Sequence, residues 1–356
     1  MNEDFRKEYI EIKNKALLQV NAYYFSHMEE LTVLFRGALE AACRQVGRMQ
    51  TDGYPQIEYM EVTMLRTRLT VRDYRIPILV YGTDWYADPA QAQAGVVDGG
   101  GIFSFYEDMI QETKSLVKKY RMKLPQRMLE ECMCSAAGDF WEYVQMACQR
   151  AVMGFSPEGM DFTDDFLIRV CEYMGYGQVC RRHTPEMDQT AMKKWFGERE
   201  EEAYQFRDYR GRDFTGWDLS GMDLSGCDFS DCKLDGCSFE EAVLEGAWFC
   251  GSSMKEVCLK DAWVPGARFD GADLESAILT GAHSVSRVNG ELWVRPDNER
   301  VSFAGCRLRQ ADCRFSAMEA ADFRGADLED AVFNDAHKTY YELDGRQRER
   351  IRFCNY

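Results

Sequence analysis

Four histidines, fourteen cysteines and one run of three glycines are the residues whose chemistry could mark a catalytic or metal centre. None of His27, His183, His283 and His337 sits beside a serine or cysteine motif of recognisable nucleophilic type. Cys171, Cys180 and His183 could ligate zinc, but no CxxC pair accompanies them, so buried thiols on a helix are the expectation. Cys132-Met133-Cys134 reads in the same way, as part of a packed helix. Gly99-Gly100-Gly101 precedes an expected helix and could cradle a phosphate. It lacks the Lys-Ser/Thr of a P-loop and the spacing of a dinucleotide fingerprint, so a loop flexing before the helix is the preferred reading. The expectation is no enzyme, no cofactor and no metal. An unrecognised activity in residues 1–205 stands as a second alternative.

The elements that would carry these residues fall into two regimes. In the first, Phe5, Tyr9, Ile12, Ala16, Val20, Tyr23, Leu31, Leu34, Ala38, Ala42 and Val46 recur at helical spacing, predicting one long helix or two over 3–48. Ile57 to Val62, Arg68 to Val71 and Ile76 to Tyr81 read as strands, with Pro77 suggesting an edge. Residues 87–101 read as a loop. Helices are expected near 103–121, 126–152, 162–179 and 187–206, with Pro125 and Pro185 where helix starts tolerate proline. The charged run Glu198 to Glu202 has no proline, which predicts a rigid helical junction. Residues 1–205 are thus expected to form an α+β domain, mostly helical, with a short β segment near 57–82.

From Phe214 onward the chain obeys a period of five. Centre positions run Phe214, Leu219, Leu224, Phe229 and onward to Leu279, then resume from Phe303 to Phe333. Seventeen of the 21 are Leu or Phe, far more than a random register would place there. Two residues earlier lies a second column. It opens with the large Arg212, Trp217 and Met222 and then turns small, from Cys227, Cys232 and Cys237 through Ala242 to Ala336. On a helix a step of five turns about 140° and would spray the leucines around the axis. On a strand an odd step flips the face. A chain that turns a corner every five residues and coils on itself keeps every centre inside, with glycine relaxing the corners. Stacked coils then bury the ladder, each Leu or Phe contributing roughly 1.5–3 kcal/mol.

The units Trp217-Asp218-Leu219-Ser220-Gly221, Met222-Asp223-Leu224-Ser225-Gly226, Ala272-Asp273-Leu274-Glu275-Ser276 and Ala326-Asp327-Leu328-Glu329-Asp330 carry a resemblance to the pentapeptide-repeat family. The resemblance implies a right-handed quadrilateral parallel β-helix over 206–340, four units per coil, about five coils and a rod of roughly 25 Å. Residues 1–205 carry no comparable resemblance. The rod is interrupted at 283–300, where Asn289-Gly290 between short alternating strands reads as a projecting hairpin. Because solenoid ends need covering, Trp217 and Met222 are expected against the helical domain. In the tail, 341–356, Arg346, Arg348, Arg350 and Arg352 would line one face of a capping strand, with Ile351 and Phe353 opposite.

Residues 20 apart share a face of such a coil. Asp223, Val243 and Trp263 then form one outward column, and Asp228, Trp248 and Arg268 the next. Val243, Trp248 and Trp263, with Trp293 on the hairpin and the four tail arginines, form the expected interaction surface. The partner is expected to be a protein of unknown identity, with a homodimer through a rod end or the tail a further possibility. The chain holds 43 basic and 60 acidic residues, a net −17. That balance argues against direct nucleic-acid binding and against an anionic membrane surface. The polar start and the lack of a long apolar run argue for the cytoplasm, where thiols stay reduced. Some bacterial members of the family resemble duplex DNA, bind type II topoisomerases and confer quinolone resistance. Residues 205–340 hold 25 acids and 15 bases, so an acidic DNA mimic is the alternative to a rigid, non-enzymatic interaction scaffold. It expects a continuous acidic stripe.

Overall fold

The computed structural model of the chain describes residues 3–89, 91–120, 126–175, 177–284, 287–288, 291–292, 300–316, 318, 321–334, 341 and 343–354. It forms two compact units, Met1–Arg181 and Arg182–Tyr356.

In the first unit the helical period of the opening residues gives α1 (Glu3–Ser26) and α2 (Met28–Thr51), with the break at His27. Phe5, Ala16 and Val20, then Leu31, Phe35, Leu39, Ala42 and Val46, supply their buried faces. A five-stranded mixed sheet follows, in the order β3-β2-β1-β4-β5. Its strands are β1 (Ile57–Met64), β2 (Arg75–Tyr81), β3 (Ala92–Asp98), β4 (Phe162–Glu172) and β5 (Gly177–Arg182). β1 pairs antiparallel with β2 and parallel with β4. Helices α4 (Gly100–Lys119) and α5 (Gln126–Val152) complete the layer that buries Met60, Val62, Ile168 and Val170.

Three expectations change here. Residues 162–179 are not a helix but β4 and the start of β5, because Phe166, Ile168 and Val170 alternate into the core beside β1. Residues 92–98 of the expected loop form edge strand β3, which α2 approaches so closely that a Cβ on Gly95 would lie 3.3 Å from that of Ala42. Arg68-Leu69-Thr70 belongs to a short helix, α3 (Arg66–Thr70), of which only Leu69 is buried.

Gly47 on α2 meets the turn after α5. A Cβ there would run into the Gly159 carbonyl oxygen, and backbone on both sides leaves no soft side chain to yield. Gly47→Ala is therefore expected to destabilise the protein by about 1–3 kcal/mol, despite the better helix propensity of alanine. A urea midpoint that rises instead would show that the turn moves freely.

The second unit is a parallel β-helix. Bridges join each outward residue to the one 20 later, as in Asp208↔Asp228, Asp228↔Trp248 and Trp248↔Arg268, so a coil holds four five-residue units. The register survives the interruption, since Trp263 bridges His283 and Arg268 bridges Ser302. Leu224, Leu244 and Phe323 lie inside, at most 1% exposed. One inner column is an aromatic stack. Tyr209, Phe229, Phe249, Phe269, Phe303 and Phe323 follow one another at centroid spacings of 5.0, 5.3, 4.9, 4.9 and 5.3 Å.

The corners explain two recurring residue types. Gly221 and Gly271 hold φ of +68° and +69°, the left-handed region that costs glycine nothing. The aspartate before each centre accepts from the backbone N–H two residues on, as Asp218 does from Ser220 and Asp228 from Ser230, both at 3.0 Å. Hydrogen bonds from the Thr215 and Ser220 side chains and backbones hold the Asp213 and Asp218 carboxyls below the usual carboxylate range.

Both ends of the coil are closed from within this unit. At the first end, α6 (Gln189–Glu198) sets Phe196 against Tyr209, Phe214 and Trp217 at 5.3, 5.7 and 5.7 Å. The compact unit thus begins at Arg182 rather than near 206, because Met192, Phe196 and Tyr204 bury themselves in the coil's core. The cover of Trp217 is α6 itself. The expected rigid junction helix stops at Glu198, where Arg199 turns left-handed (φ 50°) and donates to the Ser220 carbonyl at 2.6 Å.

At the other end, the expected arginine strand is replaced by helix α7 (Gly345–Arg350) followed by a short strand. Asp344 and Gln347 form a reciprocal capping box that starts this helix, and Gln347 also donates to the Phe323 and Ala326 carbonyls at 2.7 and 3.1 Å. Within the 283–300 interruption, β6 (Arg287–Val288) pairs antiparallel with β7 (Glu291–Leu292). After α7, Arg352–Cys354 forms β9, parallel to β8 (Val332–Asn334).

Candidate functional site

Two places gather side chains that the fold alone does not require. The first is an outer corner of the coil. Val243 bridges both Asp223 and Trp263, and Trp248 bridges both Asp228 and Arg268, so the two expected columns form and stand side by side. Val243, Trp248 and Trp263 are half-buried, each packed between rungs of the ladder. The Arg268 guanidinium lies 5.1 Å from the Trp248 ring centroid and pairs with Asp270. The Trp263 ring lies 6.0 Å from His283. Large apolar groups thus sit on a backbone already fixed on both sides by hydrogen bonds such as Leu244 N–H to the Trp263 carbonyl, 2.7 Å.

The other predicted surface residues are not brought to this corner. Trp293 lies outside the described residues. Arg346, Arg348 and Arg350 are exposed on α7, Arg348 donating to the Tyr341 and Leu343 carbonyls. Arg350 stands 3.9 Å from Asp327, and Arg352 on β9 pairs with Asp330 at 2.6 Å.

The second place was not foreseen. Glu61 of β1 is fully buried, on the face of the sheet away from the helices. Opposite it in register stands Arg169 of β4, whose Nε donates to Glu61 Oε1 at 2.6 Å. Trp85 Nε1 donates to the same oxygen at 2.7 Å, and the Tyr86 hydroxyl and Cys171 thiol reach Oε2 at 3.3 and 3.4 Å. The Arg169 guanidinium is roofed by Trp85 at 3.8 Å and flanked by Tyr59 at 5.4 Å. Burial, then the Glu61 charge, pushes the Cys171 thiol up to about 12, which keeps it protonated and unreactive. The sequence carries one signal: an acid at Glu61 among the apolar residues Met60, Val62 and Met64, and a lone base in Phe166–Cys171. It becomes legible only once the second run is read as a strand.

Cys171 and Cys180, expected on a helix, lie instead on strands β4 and β5, because residues 162–182 pair into the sheet. Cys171 faces Glu61, whereas Cys180 lies against the Cys148 thiol, a contact that together with burial raises it. Among the described residues no three metal-ligating side chains converge. Gly99 closes the start of α4, and the space beside Gly101 is filled by the Tyr23 hydroxyl, so glycine there serves close packing. Among the described residues the coil's acids are spread over successive columns, Asp213, Asp218, Asp223 and Asp228 taking one each, and several stand beside cations, as in Asp213 with Lys233, Asp273 with Arg307, Asp312 with Arg314 and Asp322 with Arg324.

Residues 213–249 and 299–335 match the family model for pentapeptide repeats, in eight copies, while the N-terminal region matches no family model. The C-terminal part of the chain is therefore a pentapeptide-repeat β-helix. Among solved structures, QnrB1, a plasmid-mediated fluoroquinolone resistance protein, is 20% identical over 43% of this chain and 76% of its own, with a TM-score of 0.27. HetL, a pentapeptide repeat protein involved in heterocyst differentiation regulation in the cyanobacterium Nostoc sp. strain PCC 7120, is 14% identical over 42% of this chain and 98% of its own (TM-score 0.15). A pentapeptide repeat protein of the Arabidopsis thaliana thylakoid lumen is 27% identical over 39% and 74%, at 0.13. No curated protein matches the chain.

Proposed function

We propose that this chain is a non-enzymatic scaffold, a rigid rod that docks a protein partner, with the Val243–Trp248–Trp263 corner as the contact. The observation that carries this reading is two indoles and a valine on the outer surface of a ladder whose interior is already filled. A pre-ordered surface loses little entropy on binding, and tryptophan is enriched among the residues that anchor interfaces. We take the coil to be right-handed and four-sided, and the domains to act as display elements at 206–340 with a capped tail at 341–356. The reading sets the protein in the cytoplasm, and it is supported by fourteen cysteines that form no disulfide with one another. No described helix is long and apolar enough to cross a membrane. The polar cluster of the first unit supports no catalytic reading, since Glu61, Arg169 and Cys171 are buried and engaged with one another.

The test compares retention of partners from native extract by the full chain and by Trp248→Asp and Trp263→Asp. Loss of a buried tryptophan anchor costs about 2 kcal/mol or more, roughly 30-fold in affinity. A specific partner kept by the wild type and lost by both variants, at unchanged unfolding midpoints, is the expected outcome. Equal retention by all three proteins removes the corner from the function. With its described acids spread over successive columns and several of them beside cations, the rod is expected to leave topoisomerase supercoiling unaltered; salt-sensitive inhibition would reinstate DNA mimicry.

A further inference from the structure

We propose that the place filled by the Trp85 side chain is a binding site for a planar nitrogen heterocycle, an indole- or purine-like ring carrying an N–H, and that the turn bearing Trp85 is its lid. The site belongs to the first unit and does not depend on the docking corner. Trp85 begins the short turn Trp85–Ala87, which follows β2, and holds φ of +48°. That is the left-handed region, which a bulky side chain adopts only when its surroundings force it. Here the contacts of the ring supply the force. Its Nε1 donates to Glu61 Oε1, the Arg169 guanidinium lies 3.8 Å from its centroid, and Tyr59 stands nearly parallel to it at 5.6 Å, with 22° between the planes. Each contact reads a flat ring: a carboxylate for an N–H, a cation for a π-face, a phenol ring for stacking. All three come from β1 and β4, none from the turn itself. The same groups would hold a free ring of that kind.

The turn is built to leave as one piece. Asp88 accepts from the Gly82 N–H at 2.5 Å, so the two ends of 82–88 are tied together, and the Trp85, Ala87 and Asp88 N–H groups bond to carbonyls within that stretch. Opening returns the Glu61–Arg169 pair to water, which recovers part of the desolvation cost of burying both charges. It also releases the Trp85 backbone from a strained conformation. Closing regains the stacking on Tyr59 and the indole hydrogen bond. Opposed terms of this kind leave both states within reach. A tethered ring competes at roughly millimolar effective concentration, so a ligand displaces Trp85 only at comparable levels or with contacts beyond the ring.

Trp85→Gly tests this in the full chain, since glycine suits a φ of +48° and leaves the place empty. Calorimetric titration with indole or adenine is expected to show binding to the variant about tenfold or more tighter than to the wild type, whose own ring competes. N-methylindole, flat but without the N–H, should bind the variant about tenfold or more weakly than indole, because Glu61 is left without its donor. In the wild type, the Trp85 indole N–H resonance, assigned by its loss in the variant, should move to the position of a solvent-exposed indole when either ring is added at millimolar concentration. Either ring bound upholds the site, and the preference between them names the class. A folded variant that binds neither ring, or that takes N-methylindole as well as indole, overturns the proposal. So does a wild-type resonance that neither ring moves, because the place would then be an engineered cavity only. Should thermal melts show that Trp85→Gly does not fold, the wild-type resonance decides alone.

Discussion

Replacing Phe249 by alanine is expected to remove about 3–5 kcal/mol from the stability of the coil. Phe249 is fully buried and stacks between Phe229 at 5.3 Å and Phe269 at 4.9 Å, with interplanar angles of 3° and 4°. Its loss leaves a cavity in the middle of the stack rather than at a rim. The rungs above and below cannot close it, because the ladder spacing is fixed by backbone hydrogen bonds such as Phe249 N–H to the Arg268 carbonyl at 2.7 Å. Collapse is what normally softens a large-to-small change, and here the backbone forbids it. Ile278→Ala, removing a side chain 42% exposed on the same ladder, serves as the control and should cost less than about 1 kcal/mol. Urea unfolding of the full chain decides between them; a Phe249→Ala midpoint close to that of Ile278→Ala would show that the stack relaxes.

Arg169→Ala should be nearly as damaging in the first unit. The substitution leaves the Glu61 carboxylate fully buried with only neutral donors, Trp85, Tyr86 and Cys171, around it. Breaking one side of such a pair costs about 3–5 kcal/mol, because an uncompensated charge remains in a low-dielectric site. The informative companion is the double replacement Glu61→Leu with Arg169→Met. It removes both charges while keeping volume, and is expected to recover most of the lost stability. Recovery would show that the pair specifies the register of β1 on β4 more than it stabilises the sheet. A double variant as unstable as the single one would mean that the Trp85 and Tyr86 contacts, not the charges, carry the energy.

The two units differ in how far they could be read from sequence, for a physical reason. The coil was legible because a five-residue period fits neither helix nor strand, and because each coil is stabilised by neighbours only 20 residues away. The columns through Val243 and Trp248 followed from the same arithmetic. In the first unit, β4 owes its extended form to β1, more than 100 residues earlier in the chain, with Glu61 matched to Arg169. A short apolar run such as Phe166 to Val170 suits a helix or a strand equally until that partner is known. Strand β3 is rich in Ala and Gly, and its conformation comes from β2 and from the close approach of α2, not from its own propensity. In the tail, the even spacing of the arginines outweighed a better local signal. Asp344 three residues before Gln347 is the pattern of a helix start, and the capping hydrogen bonds settle the local competition in its favour.

The step from Arg268 to Ser302 passes through the interruption and yet resumes the same column. Register in this solenoid is therefore set rung by rung, with no memory of how much chain was spent at a corner. Such a body can lengthen through in-frame duplication of one whole coil, and can acquire a loop at any vertex, without disturbing what lies above or below. Reach and decoration are then free to drift independently of stability, so a lineage could retune how far the rod extends long before it altered what the rod grips.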